Sequence, residues 1–260
     1  MSKHDNFIFT PITIEIQNAV AAMRAVDIGM EAFPLSEYVM HSLFLKMTGF
    51  QEQKMKCIAW EMATEDFDFR RELLSGRLGL GEYSTYEAKN KVYSSLLEII
   101  RKHNPSEISN KDDEKVKNEV TTYILGNIKV DKNQIRKNTV DAIKGSFKNT
   151  NFAVWDQRKF LFFCKKGNDI IKETQFFNND LNLLENQLQK YYDELYMQRN
   201  RLAHNVFSYQ ENLPSLIKLR DENDYSRNFY IYFAILTLID NIFMKTYKVF
   251  RDTLENSNYY

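Results

Sequence analysis

The sequence predicts an all-α protein, a helical bundle, and three observations carry that expectation. Apolar residues recur at helical spacing along most of the chain, glycine and proline are scarce at 8 and 4 in 260 residues, and no regularly spaced turn clusters of the all-β kind interrupt the pattern. With 43% hydrophobic and 14% aromatic residues there is ample material for a packed core.

The elements follow in order. From Pro11 to Glu31 and from Ser36 to Thr64 the spacing is helical, with Val39, Leu43 and Met47 at i, i+4, i+8 and Met55, Ile58 and Met62 at i, i+3, i+7. Pro34 before Leu35-Ser36-Glu37 reads as a break and a cap. Thr48-Gly49-Phe50 reads as a helix stop, so that two antiparallel helices are expected there. Residues 76–85, with Gly76, Gly79 and Gly81, form a loop whose glycines do not match a dinucleotide fingerprint. A helix from Tyr86 to Lys102 follows, with Val92, Leu96 and Ile99 on one face. The polar stretch from His103 to Asp113 reads as a linker, and helical periodicity resumes over Glu114–Ile128 and Lys132–Phe147. In the latter, Lys137, Lys144 and Lys148 flank the apolar stripe Val140, Ile143, Phe147. They form either a phosphate-tracking rim or a set of stems lying along a buried edge.

Asn178-Asn179-Asp180 reads as an N-cap for a long amphipathic helix running to His204. Its seam is Leu181, Leu184, Leu188, Tyr191, Leu195 and Leu202, interrupted at Gln198. A loop around Asn212-Leu213-Pro214 and an apolar helix from Tyr225 to Glu255 complete the chain. That last helix reads either as the central helix of the bundle or as part of a dimer interface, with Asp240 inside it expected to find a polar partner.

Composition narrows the function classes. Two cysteines, Cys57 and Cys164, exclude a disulfide framework and a Cys-rich zinc site, which fits a reducing, cytoplasmic setting. The N-terminus has no secretory pattern, and the most apolar window, Phe229 to Ile239, is too short to span a bilayer, so no membrane partner is expected. The 35 basic and 35 acidic residues cancel, against the footprint of a tight duplex-DNA binder; basic residues outnumber acidic ones only in the middle third, residues 91–178. His4, His41 and His103 lack metal-ligand spacing, so no metal and no cofactor are expected. The run Glu61, Glu65, Asp66, Asp68 reads as a cap or a solvated face rather than an acid/base pair.

The chemistry concentrates in Arg199-Asn200-Arg201-Leu202-Ala203-His204. At about 100° per residue, Asn200 and His204 stack one turn apart, each roughly 160° from Leu202 and therefore away from the core. Arg199 lies about 140° from His204, a separation that a long guanidinium or a second copy of the helix across a two-fold axis would close.

This hexapeptide resembles the R-x4-6-H signature of the HEPN superfamily of ribonucleases in its R-N-x-x-A-H form, and the order long helix, motif, loop, apolar helix over roughly the last 100 residues is similar to that family's domain. The resemblance implies a HEPN domain at 151–260 preceded by a helical, regulatory or substrate-selecting region at 1–150. It also implies a homodimer that acts as a metal-independent RNA endonuclease in phage defence, abortive infection or a toxin system, on tRNA or mRNA, under an antitoxin or activator partner. His204 would be the general acid/base, Arg199 would stabilise the phosphoryl charge and Asn200 would orient His204 or contact the phosphate. Arg201 and Asn205 would be auxiliary RNA contacts, with Lys137, Lys144 and Lys148 as a possible rim. The alternative is a non-catalytic HEPN module that binds RNA or nucleotide and signals to a partner.

Overall fold

The computed structural model of the chain describes residues 3–24, 32–79, 82–103, 134–172, 186–204 and 228–257. Among them every regular element is a helix. These are α1 (Lys3–Phe9), α2 (Thr13–Met23), α3 (Phe33–Glu65), α4 (Phe67–Leu74), α5 (Tyr86–Lys102), α6 (residues 134–147), α7 (Asn151–Trp155), α8 (Gln157–Lys172), α9 (Asn186–His204) and α10 (Phe229–Ser257). The all-α expectation holds.

The core helix is α10. From Tyr230 to Asp240 every residue is buried, because α3 and α5 cover its length while α8 and α9 close its remaining sides. Of the two roles left open for this helix, it takes the central one. It is also longer than the 11-residue apolar window suggests. Its 28 residues from Phe229 to Asn256 are by length and composition enough to cross a bilayer, although 78% of the most apolar window is buried inside the protein. The helix runs on through Asp240 because Lys54 of α3 neutralises that carboxylate at 2.6 Å, both side chains fully enclosed. The other Asp240 oxygen accepts the N–H of Ile12 at 2.9 Å, and Lys54 also donates to the Thr10 carbonyl at 2.7 Å. Asn228 starts the helix, its Oδ1 accepting from the Tyr230 N–H at 3.0 Å and its Nδ2 donating to the Lys159 carbonyl at 3.1 Å.

The stop expected at Thr48-Gly49-Phe50 is absent: α3 is one helix of 33 residues. Met40, Leu43, Phe44, Met47, Gln51, Lys54, Met55, Ile58 and Met62 keep a buried stripe unbroken across Gly49, which faces open space, so packing outweighs the roughly 1 kcal/mol cost of one mid-helix glycine. Pro34 begins this helix instead of breaking the chain before it. Proline suits the first turn, where its missing N–H has no intrahelical partner, and Ser36 is a buried helical residue rather than the cap.

Other expectations hold closely. The 76–85 loop turns through Gly76 and Gly79 at φ +73° and +59°, and Thr85 caps α5 by accepting from the Ala88 N–H at 3.2 Å. Val140, Ile143 and Phe147 of α6 are buried, Phe147 stacking on Phe233. The acidic run resolves into a cap and separate ion pairs: Asp66 accepts from the Phe69 N–H at 2.8 Å and from Lys102 at 2.7 Å, Glu61 meets His4 at 2.7 Å, and Glu65 faces Arg251 at 3.6 Å. Helices α1, α4, α7 and α8 are not anticipated in the sequence. The expected linker after His103, the helix Glu114–Ile128, the cap at 178–180 and the loop at 212–214 lie outside the described residues.

One contiguous cluster of buried apolar side chains runs from Ile8 to Leu254, so residues 1–150 and 151–260 share a core. Asp5 accepting the Tyr247 hydroxyl at 2.5 Å and the Lys54–Asp240 pair tie the first helices to the last.

Candidate functional site

Helix α9 is anchored by Leu188, Tyr192 and Leu195, each almost wholly buried, with Leu202 half-buried behind them. The stripe therefore passes through Tyr192, not through Tyr191 as the sequence pattern suggested. An i+4 step from Leu188 keeps the residue over the core, and the Tyr192 hydroxyl gains the Ser84 carbonyl at 2.6 Å. The next turn of that stripe, i+4 from Leu195, is Arg199.

Arg199 is thus a cation on the inner face. Its side chain is 24% exposed, with Nη2 lying 3.9 Å from Glu52 Oε2 on α3 and Nη1 donating to Asn200 Oδ1 at 2.9 Å. Glu52 in turn holds Lys56 at 2.8 Å. Asn200 and Arg201 are both half-buried. The helix ends at His204, so the backbone of the whole hexapeptide is helical, and His204 stands about 140° around the axis from Arg199. The imidazole of His204 and all of Asn205 lie outside the described residues.

Beside Arg199 is a group the sequence reading did not single out. Lys89 of α5 is enclosed, donating to the carbonyls of Tyr83 and Ser84 at 3.0 Å each and sitting 4.8 Å from the Tyr192 ring centroid. Burial pulls its pKa down to about 7; Glu52 and Glu82 act upward and the Arg199 charge downward. Glu82 lies at the rim, its Oε1 accepting from Ser84 and, at 2.9 Å, from the Tyr196 hydroxyl. Those hydrogen bonds hold its carboxyl below the ordinary value against slight burial, with Arg199 and Lys89 adding to the effect. The available signal was position: Lys89 falls on the same face of α5 as Val92, Leu96 and Ile99, where a lysine is out of place.

The proposed rim is elsewhere. Lys137 and Lys148 are exposed and Lys144 half-buried along the edge of the α6 stripe, and no hydrogen bond or ion pair among the described residues joins them to Arg199 or Asn200. His41 lies near the start of α3 and His103 sits 4.0 Å from Asp66. No group of three or more metal-ligating side chains converges among the described residues.

Chemically, the α9 terminus offers a fixed guanidinium, an amide whose oxygen is engaged by that guanidinium so that Nδ2 is the donor it can offer, and a histidine position one turn further on. The guanidinium and the amide donor are of the kind that hold a phosphate, while the histidine position faces away from them on the same helix. Compared with known proteins, the chain matches no family model, no curated protein and no solved structure.

Proposed function

We propose that the chain is a metal-independent RNA endonuclease of the HEPN type, with a site completed by two copies of α9 in a homodimer. The observation that supports this most is the pairing of Arg199 with Asn200 at 2.9 Å on a helix that runs unbroken to His204. Arg199 faces inward while the His204 position faces about 140° away, so a symmetric second copy supplies what one helix cannot.

In this mechanism one His204 takes the proton of a ribose 2′-hydroxyl as the 2′-oxygen attacks the adjacent phosphorus. The P–O5′ bond breaks, and the leaving 5′-oxygen takes that proton back from the same His204, while the other copy supplies Arg199. Arg199 and the Asn200 amide stabilise the charge on the non-bridging oxygens. The products are a 2′,3′-cyclic phosphate and a 5′-hydroxyl, and DNA is not a substrate because it lacks the nucleophile. In keeping with the resemblance, we place the activity in the bacterial cytoplasm, in phage defence, abortive infection or a toxin system, directed at tRNA or mRNA and controlled by an antitoxin or activator protein. Glu52, Glu82 and Lys89 belong to the N-terminal part yet surround Arg199, which gives that part a route to control the site.

A second reading, a non-catalytic module binding RNA or nucleotide, has one observation in its favour: the Arg199 guanidinium is half-buried and turned toward Glu52. Incubating the protein and its His204→Ala variant with total bacterial RNA in EDTA, followed by end-group analysis, separates the two. Cyclic-phosphate fragments from the wild type alone support the enzyme; RNA binding without cleavage supports the module.

A further inference from the structure

A cavity of about 390 Å³ opens between the first turns of α3, the α7–α8 junction, the last turns of α9 and the start of α10. Its apolar surface comes from Leu202 and from the rings of Trp155, Phe229 and Tyr232, with the Phe229 ring perpendicular to Tyr232 and 5.3 Å from the His41 ring. Its polar groups come from three separate parts of the fold: Glu37 and His41 from α3, Asp156 and Lys159 from the α7–α8 junction, and Gln198 from α9. Asp156 is largely enclosed, its Oδ2 has no hydrogen-bond partner among the described residues, and the nearest cation, Lys159 Nζ, is 3.7 Å away. Burial pushes the Asp156 carboxyl up, with Lys159 opposing, and the His41 imidazole down, with Glu37 opposing.

We infer that this cavity takes the base of a nucleotide. Flat rings suit a planar ligand, and Gln198, His41 and Asp156 present donors and acceptors around it as the edge of a heterocyclic base requires. A purely apolar ligand would strand the Asp156 oxygen without a partner. A free anion would meet two carboxyl groups, Glu37 and Asp156, against one lysine. Lys159 at the cavity wall stands where the phosphate of the same nucleotide can be received. The base can belong to a free nucleotide or to an RNA strand; only the assignment to RNA rests on the ribonuclease reading.

The chain has two tryptophans, and Trp60 is 64% exposed, so a Trp60→Phe background leaves Trp155 as the only indole reporter. In that background, intrinsic fluorescence is titrated with the four ribonucleoside monophosphates, with an RNA octamer and with ribose, all in EDTA. Saturable quenching is expected, weakened about tenfold or more by His41→Ala and by Gln198→Ala, with Glu37→Gln as a third variant at an exposed position. Quenching by monophosphates assigns a free nucleotide, and quenching by the octamer alone assigns RNA; either supports the cavity. No saturable change, an equal response to ribose, or quenching untouched by all three variants overturns it. RNA cleavage by the same proteins is read separately. Binding without cleavage sinks the ribonuclease reading alone, and cleavage without quenching sinks the cavity alone.

Discussion

Two residues apart on α3, Lys54 and Glu52 look in different directions, and their surroundings are opposites. Lys54 enters the core and meets Asp240 at 2.6 Å, with Thr10 and Ile12 satisfying the remaining polar valences, so each charge there has a counter-ion in contact. Glu52 looks toward α9 and α5, where two cations, Arg199 and Lys89, sit close together. No carboxylate touches Lys89 among the described residues, and Glu52 approaches Arg199 only to 3.9 Å. The first arrangement specifies packing and has no further business to conduct. In the second, neither Arg199 nor Lys89 has a carboxylate within hydrogen-bonding distance among the described residues, an arrangement that the proposed ribonuclease site would use to receive phosphate.

The sharpest way to break this comparison is to remove Asp240. Asp240→Ala leaves a fully buried ammonium without its partner and is expected to destabilise the fold by about 3–5 kcal/mol in a denaturant titration. A cost under about 1 kcal/mol would show the two regions to be alike.

Lys89→Met is expected to cost less at pH 7, within about 1–3 kcal/mol, because two carbonyls lose a donor while a buried cation is no longer required. Its clearer signature is in pH. The unfolded chain keeps the Lys89 proton up to about pH 10.5, whereas the folded protein releases it above about 7. Between those values the unfolded state binds more protons, so this lysine makes stability rise with pH, and Lys89→Met should flatten that rise between pH 7 and 9.5. An unchanged slope would show that Lys89 stays charged when folded.

Glu52→Gln should change stability by less than about 1 kcal/mol, since its pairs with Lys56 and Arg199 are half-exposed or long. A change as large as that for Asp240 would make Glu52 a structural counter-ion. The smallest effect is expected from Gly49→Ala, a gain of about 0.5–1 kcal/mol in thermal unfolding, because the added methyl meets nothing and α3 passes straight through. Destabilisation there would argue for a break at residue 49.

How much of this was legible beforehand differs between the elements. Helix α5 was readable to the residue because its stripe and its Thr85 cap agree. At Gly49 local chemistry and packing disagree, and the local signal loses because α3 has neighbours along its whole length. The hexapeptide and its helical placement were legible; the inward turn of Arg199 was not, because the one-residue shift from Tyr191 to Tyr192 depends on the loop carbonyl at Ser84, a contact more than a hundred residues away in sequence. Lys54 and Lys89 could have been suspected from their positions on apolar stripes, but no pattern names their partners. The cavity at the end of α9 draws on four elements and has no signature in any of them.

The central claim is a ribonuclease site shared between two copies of α9, and mixing two inactive variants tests it most directly. Arg199→Ala and His204→Ala proteins, each checked for wild-type thermal unfolding, are incubated with RNA in EDTA separately and after subunit exchange. If Arg199 of one copy works with His204 of the other, each variant alone is silent and the mixed dimer, which keeps one intact pair, regains cleavage with cyclic-phosphate ends. A mixture that stays silent while the wild type cleaves contradicts the shared site, and a wild type that never cleaves contradicts the enzyme.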